Sequence, residues 1–345
     1  MKARLILKDG TIYEGESFGA PVSTAGEVVF ATGMTGYPES LTDPSYKGQI
    51  VTFTYPLIGN YGVPDPSHWE SSRIMVSGLI VSNYIDTPSH FQSKRTLAQW
   101  FKDENLPLVE IKDTRLITQK IRSSGTILGK IIIEKDIDFY NPNIHNLIDQ
   151  VSTKEIHTFP SPGKTTVLID CGAKRNIQKN LSRRGVDVIV VPWNTDIFED
   201  KFPRFDALVI SNGPGDPKMA ATTIATVKKA LDNKIPTLGI CLGHQILSLA
   251  AGGDTRKLKY GHRSQNQPCI IEGTDRCIIT TQNHGFEVSK IPPGFKPWFT
   301  NANDNSNEGI KHEKLPFMST QFHPEANPGP KDAEWIFDYF LERVK

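Results

Sequence analysis

The chain reads as an α/β protein in two parts: a C-terminal mostly parallel sheet flanked by helices, preceded by a mainly β or α+β domain. Three observations predict this. From residue 165 onward, short apolar runs alternate with helical stretches of ten or more residues, the pattern of strands covered on both faces. Before residue 156 the runs are short and separated by Gly- and Pro-rich connections such as Tyr61-Gly62-Val63-Pro64-Asp65-Pro66. Between the two textures, His157–Lys164 holds two prolines and a glycine. The resulting division is a domain over 1–155, a linker over 156–164 and a second domain over 165–345.

In the first domain Ala3–Leu7 alternates, Asp9-Gly10 turns and Thr11–Tyr13 continues, which predicts a hairpin. Glu27–Ala31, Gln49–Phe53, Ile74–Val81 and Thr126–Ile133 read as further strands, with helices around Thr96–Glu104 and Asp113–Ser123. In the second domain Thr166–Asp170, Val186–Val191, Ala207–Ser211 and Thr237–Ile240 read as strands. Lys174–Arg184, Ala220–Asn233 and Gly243–Ala251 read as the helices between and after them. Ile270–Ile279 and Phe317–Gln321 look strand-like, and Lys331–Val344 predicts a closing helix. Ligands of such sheets bind outside the carboxyl ends of the strands.

Composition excludes several functional classes. With 39 basic and 38 acidic residues interspersed, nothing points to a nucleic-acid or anionic-membrane partner. No apolar run is long enough to cross a bilayer, and no targeting segment is evident. The four cysteines (Cys171, Cys241, Cys269, Cys277) make no CxxC pair, so a reducing, cytoplasmic location is expected. Pro162-Gly163-Lys164-Thr165 fails as a phosphate loop because its first glycine would fall on Thr158. No metal-ligand spacing stands out either, and neither a metal nor another cofactor is expected in this chain.

Pro236–Gln245 carries the most chemistry. Cys241 stands where a buried strand ends and an apolar helix begins, with Gly239 and Gly243 on either side to relieve crowding at the bend. The helix N-terminus favours a thiolate, and the Leu242 N–H is free to face an oxyanion. The plain alternative is a small core cysteine. A base decides between them. In Gln321-Phe322-His323-Pro324-Glu325, the imidazole and the carboxylate are two positions apart, so both project to one side of an extended segment. His323 then serves as base and acid, and Glu325 fixes its tautomer. His284 and His244 are rival bases without a carboxylate two residues away. Ser211-Asn212-Gly213-Pro214-Gly215-Asp216-Pro217 ends another strand, and reads either as a rigid turn or as a loop presenting backbone N–H groups to a substrate.

Gly-Ile-Cys-Leu-Gly-His-Gln, Ser-Asn-Gly-Pro-Gly-Asp-Pro and Phe-His-Pro-Glu occur here in the order seen in class I (triad-type) glutamine amidotransferases, which the second domain resembles. Asp170–Ile177, Gln282–Phe286 and His323–Pro330 narrow the likeness to the carbamoyl-phosphate synthase small-subunit family. The first domain is similar to that family's own N-terminal domain through Thr32–Glu39, Leu41–Tyr46 and Thr54–Asn60. The resemblance implies a glutaminase with Cys241 as nucleophile, His323 as base and Glu325 as orienter, working through a γ-glutamyl thioester. It also implies oxyanion N–H groups from Gly213 and Leu242, and glutamine contacts from Gly215, Gln245, Asn283, Gly285, Phe286 and Ser45. Ammonia would pass to a large subunit, in a heterodimer or higher oligomer, that uses bicarbonate, ATP and Mg for pyrimidine and arginine synthesis. Two departures are Cys171, where the family more often has an aromatic residue, and Gly261–Pro268, less glycine-rich than the usual pattern. The competing readings are a stand-alone Cys–His γ-glutamyl hydrolase and a non-catalytic regulatory protein on the same fold.

Overall fold

The computed structural model describes residues 1–344 and divides into two compact units, Met1–His145 and Asn146 onward. In the first unit seven strands close a barrel in the order β1-β2-β8-β6-β4-β3-β9. These are β1 (Lys2–Leu7), β2 (Ile12–Ser17), β3 (Thr24–Ala31), β4 (Gln49–Phe53), β6 (Gly78–Val81), β8 (Leu108–Glu110) and β9 (Ile127–Ile132). A small pair, β5 (Leu57–Ile58) with β7 (Asn83–Tyr84), stands apart. The hairpin at Asp9-Gly10 is present, with β1 and β2 antiparallel. Along β1 the buried Ala3, Leu5 and Leu7 alternate with Lys2, Arg4 and Ile6, the period-two pattern of a one-sided strand.

Three helices complete this unit: α1 (Tyr37–Leu41), α2 (Leu97–Asp103) and α3 (Thr114–Ser124). Thr96 caps α2 by accepting from the Gln99 N–H at 3.1 Å. That helix buries Trp100 and Phe101 against Val29, Val51, Leu79 and Leu108 of the barrel strands. Burying each large side chain contributes about 1.5–3 kcal/mol. Helix α1 was not legible in the sequence, since it has only five residues and contains Pro38.

The second unit begins earlier than the composition shift suggests. Residues 156–164, expected to be a linker, contain β10 (His157–Phe159), and α4 (Ile148–Val151) precedes it. Both belong to this unit: β10 pairs with β12 (Asp187–Pro192), and the Thr153 N–H donates to Asp170 Oδ2 at 2.7 Å. Three exposed residues followed by Pro160 and Pro162 carry no hydrophobic pattern, so the edge strand is made by backbone pairing alone.

The sheet of this unit has ten strands, ordered β10-β12-β11-β13-β14-β19-β18-β17-β15-β16. Its parallel centre is β12 with β11 (Thr165–Asp170), β13 (Ala207–Ile210), β14 (Thr237–Ile240) and β19 (Phe317–Thr320). An antiparallel extension follows: β15 (Asp254–Ile271), β16 (Cys277–Lys290), β17 (Phe295–Asn301) and β18 (Asn307–His312). The segment Ile270–Ile279 is therefore not one strand but the hairpin between β15 and β16, turning at Gly273 with φ 80°.

Alternation in the central strands assigns the helices to faces. Leu168, Val188, Val190, Val209 and Leu238 pack with Ile177 and Leu181 of α5 (Arg175–Arg183) and Ile336, Phe337 and Phe340 of α8 (Trp335–Leu341). Their neighbours Val167, Ile169, Leu208 and Ile210 pack with Val227 of α6 (Ala221–Asp232) and Ile246 of α7 (Leu242–Ala250). Two apolar faces on every strand explain why these segments read as unbroken apolar runs. The carboxyl ends of β11, β13, β14 and β19 come to one sheet edge, and four informative segments of the sequence meet there.

Candidate active site

Cys241 joins β14 to α7 with φ 54° and ψ −102°, a conformation L-residues rarely adopt. Packing holds it there. A Cβ on Gly239 would meet the Gly243 carbonyl oxygen at 2.4 Å, and one on Gly243 would meet the Ile210 carbonyl oxygen at 2.2 Å. The bend is thus pressed between its own helix and the neighbouring strand, as the paired glycines anticipated. The Cys241 N–H donates to the Thr320 carbonyl at 2.8 Å, tying the elbow to β19. Its thiol is buried and lies 3.6 Å from the Asn283 carbonyl oxygen.

His323 follows β19, with its own N–H bonded to the Thr281 carbonyl at 2.9 Å. Its Nδ1 is 2.6 Å from Glu325 Oε1, and both side chains are buried. The other ring nitrogen, Nε2, has no hydrogen-bond partner. Burial disfavours the imidazolium, but the Glu325 carboxylate and the nearby Cys241 sulfur outweigh it and raise the His323 pKa. Burial likewise opposes the Glu325 carboxylate, and Lys174 together with His323 overcomes it, so its pKa falls.

Lys174 is the participant whose role the sequence left unread. Its Nζ is 3.2 Å from Glu325 Oε1 and 2.5 Å from the Ala326 carbonyl oxygen, on a side chain 2 % exposed. Asn176 Nδ2 also donates to the Glu325 carbonyl. Both residues sit just after β11, in the junction Asp170–Ile177. Only their place among a family's residues marked them in the sequence, because ion pairing across the fold has no local signal.

The loop after β13 is fastened from both sides. Ser211 Oγ accepts from the Cys171 N–H at 2.9 Å, Asn212 Oδ1 accepts from the Lys174 N–H at 3.0 Å, and the Ser211 carbonyl accepts from the Gly243 N–H at 3.0 Å. A Cβ on Gly213 would lie 2.1 Å from the Cys171 carbonyl oxygen, so only glycine fits. Gly215 has φ 86°, and Leu242 is buried at the first turn of α7. Gln245 Nε2 donates to the Phe286 carbonyl and to Gln321 Oε1, each at 2.9 Å. Asn283, Gly285 and Phe286 lie on β16, the strand whose Asn283 carbonyl faces the thiol. Ser45 lies in the first unit, buried in the short turn Pro44–Tyr46, where its N–H bonds Asp43 Oδ1 at 2.9 Å.

The rival bases are engaged elsewhere. His244 Nδ1 is 2.9 Å from Ser319 Oγ, and burial lowers its pKa to about 3. His284 Nδ1 is 2.9 Å from the Phe286 carbonyl, and its Nε2 faces Gln282 and Glu308. No metal-ligand spacing was visible in the sequence, yet the fold brings His262, His284 and Glu308 together with ligand-type atoms within 4.8 Å of one another.

The arrangement defines a class: a cysteine on a strand–helix elbow, a buried histidine–carboxylate pair on the next parallel strand, and a glycine loop on the strand before. A family model described as glutamine amidotransferase class-I matches residues 167–343, and the chain belongs to that family. A second model, carbamoyl-phosphate synthase small chain, CPSase domain, matches residues 5–131. The multifunctional protein CAD of Squalus acanthias is 48 % identical over 357 residues, covering 99 % of this chain and 16 % of that one. The multifunctional protein URA2 of Saccharomyces cerevisiae is 44 % identical over 388 residues, covering 99 % and 17 %. The mitochondrial carbamoyl-phosphate synthase (ammonia) of Mus musculus is 45 % identical over 357 residues, covering 99 % and 24 %. The chain therefore spans less than a quarter of the length of each of these curated relatives. Among the described residues, no helix is long and apolar enough to cross a membrane.

Proposed function

We propose that this chain is the glutamine-hydrolysing component of a carbamoyl-phosphate synthase, with Cys241, His323 and Glu325 as its catalytic residues. The observation that carries the reading is the buried His323 whose Nδ1 is held at 2.6 Å by Glu325 while Nε2 stays unpartnered near the Cys241 thiol. A carboxylate on Nδ1 keeps that nitrogen protonated, which leaves Nε2 to take the thiol proton.

The Cys241 thiolate attacks the side-chain carboxamide carbon of glutamine. The oxyanion so formed is received by the N–H groups of Gly213 and Leu242, held rigid by the fastened loop and the first turn of α7. His323 returns its proton to the departing nitrogen, ammonia leaves, and a γ-glutamyl thioester remains on Cys241. Water deprotonated by His323 then hydrolyses the thioester to glutamate and frees the thiol. Gly215, Gln245, Asn283, Gly285 and Phe286 bind the substrate.

None of these steps calls for a cofactor in this chain. The partner is a carbamoyl-phosphate synthase large chain or region, in a heterodimer or larger assembly, which joins the ammonia to bicarbonate with ATP and Mg in the cytoplasm. The product serves pyrimidine and arginine synthesis. The first domain supports this reading over a free hydrolase, because its matched family is the small chain of that synthase.

The test is glutamate release from glutamine by the purified chain, alone and with a large chain, with carbamoyl phosphate assayed in the same tubes. Wild type is expected to release glutamate and to be stimulated by the partner, and Cys241→Ser to abolish release while added ammonia still supports synthesis. Glutamate release persisting in Cys241→Ser would overturn the nucleophile assignment. Activity indifferent to the large chain would overturn the partner.

A further inference from the structure

We propose that His262, His284 and Glu308 form a binding site for a divalent transition ion of the zinc type, separate from the cysteine and histidine of the glutaminase reading. His262 and His284 are directly paired across β15 and β16, and Glu308 reaches them from β18. All three are buried, with Glu308 fully so. His262 Nδ1 lies 3.2 Å and His284 Nε2 3.7 Å from Glu308 Oε1. Donor atoms about 2.0–2.1 Å from a tetrahedral ion are roughly 3.4 Å apart, so these separations bracket that value.

The outer contacts point the same way. His262 Nε2 is 2.9 Å from Asp304 Oδ2, and Asp304 is itself held by the Ser306 N–H at 3.0 Å and the Ser306 hydroxyl at 2.8 Å. His284 Nδ1 is 2.9 Å from the Phe286 carbonyl. Each imidazole thus gives its outer nitrogen to a fixed acceptor, a carboxylate in one case and a backbone carbonyl in the other. That is the support metal-binding histidines ordinarily have, and it turns both inner nitrogens toward the same carboxylate as lone-pair donors. A second oxygen of that carboxylate, Glu308 Oε2, is buried without a hydrogen-bond partner. A buried, half-satisfied carboxylate is costly, and a cation between it and the two rings would neutralise it. Gln282 Oε1, 3.3 Å from His284 Nε2, offers a further oxygen at the same point.

Zinc-type ions fit this donor set better than calcium or magnesium, which prefer all-oxygen surroundings. Because His284 lies between Asn283 and Gly285 on β16, an ion there would clamp the strand that faces Cys241.

The test uses the whole chain carrying Cys241→Ser and Cys277→Ser, so that neither the site thiol nor the exposed thiol captures metal. The protein is stripped with EDTA and titrated with Zn2+ against a chromophoric chelator. Uptake of one equivalent is expected, weakened at least tenfold by Glu308→Gln. Co2+ is expected to give the intense visible bands of a four-coordinate nitrogen–oxygen site. Where circular dichroism shows Glu308→Gln unfolded, Asp304→Asn is read instead, with a loss of tenfold or more expected. No stoichiometric uptake in the doubly substituted chain would overturn the proposal. So would uptake that the folded variant leaves unchanged, or a pale octahedral Co2+ spectrum.

Discussion

Lys174 Nζ and Glu325 Oε1 stand 3.2 Å apart with both side chains essentially inaccessible to solvent, the lysine from the β11–α5 junction and the glutamate from the segment after β19. Glu325 therefore faces two cations, Lys174 and the His323 imidazolium. The pair carries orientation as well as charge, because Lys174 also bonds the Ala326 carbonyl next to Glu325. Removing one member of a buried pair leaves the other as an uncompensated charge, a cost of about 3–5 kcal/mol. Lys174→Met is expected to lower stability by about 3 kcal/mol in urea unfolding and to depress glutaminase turnover. Adding Glu325→Gln to Lys174→Met should recover part of the stability but none of the turnover. Equal, additive losses in the double variant would show that the two side chains do not interact.

Glu325 and His323 together set a pH window. Glu325 is lowered from its ordinary 4.5 to about 2, so its contribution is present above pH 4.5 and lost as pH falls through 2. His323 is raised from its ordinary 6.5 to about 10, so its contribution is complete below pH 6.5 and lost as pH rises through 10. The stability difference between wild type and Glu325→Gln, measured by denaturant unfolding, is expected to be greatest between pH 4.5 and 6.5. It should narrow on both sides. A difference constant from pH 4 to 10 would mean that Glu325 and His323 form no ion pair.

Backbone strain at the elbow is separable from its chemistry. Cys241 holds φ 54° and ψ −102°, and such residues cost about 1–3 kcal/mol unless they are glycine. Cys241→Ala and Cys241→Gly both remove the thiol and should both abolish glutamate release. The glycine variant is expected to be about 1 kcal/mol more stable than the alanine variant, the reverse of the usual order near a helix. Thermal unfolding of the two side by side decides it. An alanine variant equal to or more stable than the glycine variant would mean the elbow is relaxed.

How legible each part was depends on how locally it is specified. The elbow could be read because its glycines, cysteine and apolar helix are contiguous, and His323 with Glu325 because two residues in an extended segment share a side. Six of the seven barrel strands could be placed because they alternate or run apolar, but the three-residue β8 was too short to read, and closure could not be seen, since it is set by which strands pair. Lys174 and the His262–His284–Glu308 cluster left no local mark. Their partners arrive from separate strands through the antiparallel extension and the parallel core. The hairpin within Ile270–Ile279 was hidden because its turn, Glu272–Arg276, is short and lies between apolar residues at both ends.

The last prediction concerns substrate binding rather than the chemical step. Gln245 Nε2 divides its hydrogens between the Phe286 carbonyl and Gln321 Oε1, joining α7, which starts at the nucleophile, to β16 and to the segment leading to His323. Its side chain hydrogen-bonds neither Cys241 nor His323. Gln245→Leu keeps the volume roughly constant and leaves the Phe286 carbonyl and Gln321 without this partner, a loss of about 1–3 kcal/mol for buried groups. If Phe286 and Gln245 bind glutamine, that loss falls on the ground state and the transition state alike. The KM for glutamine should then rise about tenfold or more with turnover changed less than threefold. A fall in turnover at unchanged KM would instead place Gln245 in the positioning of the catalytic pair.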